Sequence, residues 1–131
     1  MPFDSSTPSN HETRSLDLEA AERELVSACI DHEAALRRAL TTLPLDDFRS
    51  PQGELHRRIF YVLAGWLAAG TYDTEMNRDR LQLYFPDIDI DALWCSCGVV
   101  PGYIRALCKA IVEHNRLADA AVAAVQAVYW Q

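Results

Sequence analysis

The sequence contains few glycines and prolines. Its 131 residues include five glycines and six prolines, and these glycines never form the G-x-x-x-x-G-K-[ST] or G-x-G-x-x-G motifs. Phosphate-binding loops need such glycines because backbone N–H groups must come close to the anion. The sequence therefore lacks a recognisable nucleotide site, and we expect a non-enzymatic protein without a cofactor.

Basic residues are also scarce. Twelve Lys and Arg residues stand against nineteen Asp and Glu residues, which gives a net charge of −7 at pH 7 and a pI near 4.9. Proteins that bind nucleic acid without sequence preference neutralise phosphates with clustered Lys and Arg. We therefore expect no direct nucleic-acid partner, although a small local basic patch is compatible with this charge.

Long hydrophobic runs are missing. No stretch approaches the roughly 20 apolar residues that a membrane span needs, and MPFDSSTPSNHETR at the start has no apolar core typical of a signal peptide. We therefore expect a cytoplasmic protein with no membrane partner. Residues 1–15 have little to bury and are predicted to form a disordered tail, followed by one domain over residues 16–131.

Cysteines are few and lie mostly among apolar residues, which favours reduced thiols over a disulfide framework. They are Cys29, Cys95, Cys97 and Cys108. Cys95 and Cys97 could coordinate zinc together with His56 or His114. In structural zinc sites, however, two to four residues usually separate the paired cysteines. We therefore predict no metal site, although Cys95 and Cys97 are weak candidates for metal ligands. A metal- or nucleic-acid-binding regulator that uses these two cysteines is the alternative function.

The apolar residues that are present recur at steps of three and four, which predicts helices, and no segment shows the alternation of a strand. Capping residues, prolines and glycines divide the chain into about six helices. The predicted helices cover residues 17–30, 31–43, 51–70, 75–85, 90–97 and 103–130. The expected fold class is all-α, a helical bundle with a long C-terminal helix.

The last predicted helix, Tyr103 to Trp130, has more apolar surface than a small bundle should cover. The stripe in its first half is wide enough to close the core of the domain. The apolar residues of its second half include Leu117, Ala121, Val122, Val125, Val128 and Tyr129. We expect this half to pack against a second copy or a partner helix, as a dimer or higher oligomer. The alternative is that it folds back on the first helix of its own chain.

Three motifs occur in a recognisable order along the chain. The first includes Glu19, Ala20, Glu22, Leu25, Ala28 and Ile30; the second Asp47, Phe48, Pro51, His56, Arg57, Ile59 and Phe60; the third Tyr103, Ile111, Glu113, Arg116 and Leu117. In this order the motifs resemble the N-terminal domain of DnaB-type replicative DNA helicases. The resemblance covers about Asp17 to Ala121, and its central motif is the most specific part.

The resemblance implies a protein–protein interaction module of DNA replication. Such a domain self-associates and docks a replicative helicase, a primase or a loader. A related fold occurs in the helicase-binding domain of primases, which is an alternative assignment for this chain. The sequence departs from the family in two respects: it contains no Walker motif, so helicase activity is not implied, and it predicts one long terminal helix where the family has a helical hairpin.

The resemblance also implies roles for the central motif. Asp47 and Phe48 are expected to form the turn before the long helix, and Phe48 and Phe60 to pack into the bundle. We expect His56 and Arg57 to hold the helix start to neighbouring carboxylates or carbonyls, with Ile59 on the buried face. The alternative is that Arg57 and Arg58 are exposed and contact a partner, which the helix periodicity permits more readily for Arg58.

The cysteine spacing yields the first testable prediction. Protein purified without added metal should contain no stoichiometric zinc, which elemental analysis can measure. A content of about one zinc per chain, lost in a Cys95→Ser, Cys97→Ser double variant, would contradict this prediction and favour the regulator.

Overall fold

The structure, a computed structural model, describes residues 16–93 and 101–130. Its α-helices are α1 (Leu18–Asp31), α2 (Glu33–Thr42), α3 (Gly53–Ala69), α4 (Asn77–Tyr84) and α5 (Pro101–Tyr129). Two 3₁₀ turns, Leu45–Asp47 and Ile90–Leu93, complete the elements, and these ranges contain no strand. The all-α fold class and the long C-terminal helix are thus confirmed. The predicted tail, residues 1–15, lies outside the described part.

The first helix, α1, is the centre of the bundle. Its N-terminus is capped by Asp17, whose carboxylate accepts a hydrogen bond from the backbone N–H of Ala20 at 3.1 Å. Every residue from Leu25 to Ile30 is buried, and α1 packs against each of the other four α-helices. The second half of α1 is therefore buried around its circumference, and the other helices are arranged around it.

The long helix α3 ends as expected and begins slightly later than expected. Gly70 terminates it in the left-handed conformation, with φ of 77°, which glycine adopts without steric penalty. Its first residue is Gly53, and the predicted first residue, Pro51, lies in the preceding turn. This start is crowded, because a Cβ atom on Gly53 would lie 2.3 Å from the carbonyl oxygen of Phe48.

The expected count of about six helices is wrong; in the described part there are five α-helices. Of the predicted helix over residues 90–97, residues 90–93 form only a short 3₁₀ turn, and the others fall outside the description. Gln82 on α4 binds the loop that precedes this turn. Its amide nitrogen donates to the carbonyls of Phe85 and Ile88, at 3.1 and 2.7 Å, and its oxygen accepts from the N–H of Ile90 at 3.1 Å. These bonds satisfy three backbone groups between the end of α4 and the start of the turn.

The buried apolar side chains form one cluster to which all five α-helices contribute. From α5 the cluster receives Ile104, Leu107, Cys108 and Ile111, all in the first half of that helix. Asn115 is the last buried residue of α5, and every residue from 116 to 130 is exposed. The core therefore uses only the first half of the longest helix.

Two glycines of α3 allow a matched test of the crowded helix start. Gly53→Ala should destabilise the protein by about 1–3 kcal/mol, because the new methyl group overlaps the Phe48 carbonyl. Gly65→Ala, which has no atom within 4 Å of its Cβ position, should stabilise it by about 0.5–1 kcal/mol through helix propensity. Urea unfolding of both variants measures the difference, and equal effects would refute the packing described for Gly53.

Candidate interaction surfaces

The central motif of the sequence forms the turn before α3 and the start of that helix. Phe48 and Phe60 are both buried, with ring centroids 5.3 Å apart, and Ile59 is completely buried beside them. The side-chain amide of Asn115, on α5, donates to the carbonyl of Asp47 at 2.8 Å. The motif therefore joins α3 to the turn and to α5 in the interior of the bundle.

His56 points into the bundle and meets a carboxylate of the central helix. Its Nδ1 lies 2.9 Å from Oε1 of Glu22, and both side chains are almost completely buried. Ser50 also binds this carboxylate, its backbone N–H donating at 3.0 Å and its hydroxyl at 2.5 Å. The three residues connect α1, the turn and the first part of α3.

The sequence could have identified this carboxylate. Glu22 lies one helical turn after Leu18 and just before Leu25, on the apolar stripe of α1, where a charged residue needs a buried partner. Burial raises the pKa of Glu22, but the hydrogen bonds from His56 and Ser50 outweigh this effect and leave the pKa below its usual value. The carboxylate is therefore held in its charged form.

The expectation for Arg57 differs from what the structure shows. Arg57 is exposed, and none of the hydrogen bonds or ion pairs found in the described part involves its side chain. Because successive residues of an α-helix are about 100° apart, burying His56 directs the next two residues outward. Arg57 and Arg58 both line a surface groove instead.

This groove, which we call the arginine groove, has a volume of about 310 Å³ and lies between the first 3₁₀ turn, α3 and the end of α4. Its lining residues are Leu45, Arg57, Arg58, Tyr61, Val62, Tyr84 and Phe85. The guanidinium carbon of Arg58 is 5.3 Å from the ring centroid of Phe85, a cation–π arrangement. Of the residues that line this groove, only the arginines were expected from the sequence to contact a partner; the aromatic lining was not predicted, because it comes from separate elements.

The second surface is the second half of α5. Leu117, Val122, Val125, Val128 and Tyr129 are between 56% and 81% exposed, and Ala121 is exposed among them. This half therefore does not fold back on α1, which was the alternative expectation. No helix in the described ranges is long and apolar enough to cross a membrane.

Two of the four cysteines lie in the described part. Cys29 and Cys108 are buried and free, and burial raises the pKa of both thiols. No group of three or more His, Cys, Asp or Glu side chains in the described residues could hold a metal ion. Cys95 and Cys97 fall outside these residues. The ring of His56, one of the residues considered for zinc, is paired with Glu22.

Comparison with family models, with curated proteins and with solved structures gives no match. The resemblance to the helicase domain rests on the sequence motifs.

The buried carboxylate gives a prediction with a definite pH dependence. The pKa of Glu22 is lower in the folded state than in the unfolded chain. At a pH between the two values the unfolded chain binds a proton that the folded state does not, so acid favours unfolding. The stabilisation should be complete above the ordinary Glu pKa of about 4.3 and be lost as the pH falls below it. Glu22→Gln should cost about 1–3 kcal/mol at pH 7, because one of the buried donors loses its acceptor.

The measurement is urea unfolding of wild type and Glu22→Gln from pH 7 down to pH 3, with Glu54→Gln as the control. Glu54 is exposed in the first turn of α3, so its variant should follow wild type. The stability gap between wild type and Glu22→Gln should narrow as the pH falls. A gap that stays constant would rule out this role for Glu22.

Proposed function

We propose that this chain is a non-enzymatic protein–protein interaction module that self-associates through the second half of α5. The proposal rests on one observation: the exposed half of α5 is apolar on more than one side. Val122 and Val125 are each 56% exposed, and Val128 is 75% exposed. Apolar residues around a helix are typical of one that is covered by other elements, and here the chain's own core supplies no cover.

The dimensions of α5 support a contact with a second molecule. The helix has 29 residues, and the fifteen residues from 116 to 130 extend for about 22 Å at 1.5 Å per residue. An ion pair at 2.7 Å between Arg49 and Asp119 ties the beginning of this half to the bundle. No charged residue occurs from 120 to 130, so burying that stretch carries no cost of desolvating a charge.

The composition of this half supports pairing of two helices. Alanines occupy positions 118, 120, 121, 123, 124 and 127, and small residues allow two helix backbones to approach closely. Valine side chains between them supply the apolar area. A second copy presents the same segment, so a two-fold arrangement of two α5 helices buries both surfaces at once.

We further propose that the module acts in DNA replication, where it docks a replicative helicase, a primase or a loader. The support is the resemblance of the three sequence motifs to the helicase N-terminal domain, a domain that self-associates and docks such partners. The buried positions of Phe48, Ile59 and Phe60 are compatible with this resemblance.

Val125→Asp tests the self-association. A carboxylate in the centre of the apolar half would be buried without a partner, so the variant should shift from oligomer to monomer. Light scattering coupled to size exclusion, over a range of concentrations, measures this. Leu83→Asp is the matched control, because Leu83 is 81% exposed on α4 and gives the same type of change elsewhere. A monomeric wild type, or oligomers that persist in Val125→Asp, would refute the proposal.

Replication partners require a separate experiment. Tagged protein should retain purified replicative helicase or primase in a pull-down. Untagged protein mixed with the same partner should give a heavier complex by light scattering. Retention of neither protein would leave the self-associating module without its replication role.

A further inference from the structure

We propose that the arginine groove is a docking site for a partner protein segment that combines acidic and apolar side chains. The groove shares no lining residue with the exposed half of α5. The inference is therefore independent of the self-association proposed above, and concerns a second surface of the same molecule.

The two arginines give the groove a positive charge. Three arginines in the described part form ion pairs, Arg37 with Glu33 and Arg78 with Asp31 at 2.8 Å and Arg49 with Asp119 at 2.7 Å, and the others form none. Neither Arg57 nor Arg58 has a carboxylate within 4.0 Å in the described residues, in a chain with a net charge of −7. Two adjacent cations without carboxylates complement an acidic ligand.

The position of Glu54 strengthens this argument. It precedes Arg57 by three residues and Arg58 by four on α3, the spacings at which helical ion pairs form. Neither pair is formed. Arg58 instead lies over the ring of Phe85, which holds its guanidinium at the groove. Both guanidinium groups are thus available to a carboxylate from outside.

The groove also has an apolar and aromatic lining. Tyr61 is 67% exposed and Tyr84 is 61% exposed at the groove, where Leu45 and Val62 add aliphatic surface. The ring of Tyr84 also meets the edge of Trp66, with centroids 5.7 Å apart, so it is partly fixed before any ligand binds. Tyrosine and arginine are the residues that most often carry binding energy at protein interfaces.

These features favour a protein segment over a nucleic acid. A nucleic acid is bound mainly through several phosphate contacts along a basic track, whereas the groove contributes only two cations. A short segment with one or two carboxylates beside an apolar side chain matches both the cations and the apolar lining. Bidentate pairing of guanidinium with carboxylate would fix its orientation.

The test uses the full chain and a short fluorescein-labelled peptide that carries one Asp and one Glu beside Phe and Leu. Fluorescence anisotropy should show saturable binding, weakened at least about tenfold in the Arg57→Glu, Arg58→Glu double variant, because two attractive charges become repulsive. Tyr61→Ala should weaken binding without changing its salt dependence. All three residues are exposed, so circular dichroism should show unchanged folding.

The matched control is the Arg105→Glu, Lys109→Glu double variant on α5. It makes the same change in net charge at exposed residues of another groove, and it should bind the peptide like wild type. A peptide with Lys in place of Asp and Glu should bind the Arg57→Glu, Arg58→Glu variant better than wild type.

Three results would overturn the proposal: no saturable binding of the acidic peptide, equal weakening in both double variants, or tighter binding of single-stranded DNA at the same arginines. Because none of these variants changes the second half of α5, light scattering on the same samples reports self-association separately. Failure of one proposal is therefore distinguishable from failure of the other.

Discussion

The structure depends on one buried carboxylate. Glu22 lies on the central helix, away from water, and accepts hydrogen bonds from His56 on α3 and from both the backbone and side chain of Ser50. A buried charge without partners costs several kcal/mol, so α3 and its preceding turn must adopt the positions that supply these donors. The carboxylate thereby fixes the rotation of α3 about its own axis, which packing of apolar side chains alone would leave less strictly defined.

That rotation determines what α3 presents to solvent. With His56 directed at Glu22, Ile59, Phe60 and Leu63 follow it into the core, while the two arginines after His56 lie outside. His56, Arg57 and Arg58 are therefore adjacent in sequence but differ in role. The first satisfies a buried carboxylate, and the other two, together with Tyr61, line the arginine groove.

The sequence predicts the features that depend on neighbouring residues. Periodicity and caps were sufficient for the all-α class and for the end of α3 at Gly70. The 3₁₀ turn at residues 90–93 was not predicted, because caps and periodicity do not distinguish a short 3₁₀ turn from the start of an α-helix. Likewise the arginine groove joins Leu45 to residues of α3 and α4, and no local pattern indicates which residues converge across three elements.

The long helix α5 combines two different roles in one continuous element. Its first half is an ordinary amphipathic helix, in which Ile104, Leu107 and Ile111 enter the core. The side chain of Asn115, which donates to the Asp47 carbonyl, and the ion pair of Asp119 with Arg49 mark where attachment to the bundle ends. Beyond that point the alanines and valines favour a helix and are apolar, but they are not buried in the core. A helix that served only this bundle would need polar side chains there to be stable in water. Beyond Asp119, α5 therefore exposes an apolar surface that the core of the described residues leaves uncovered.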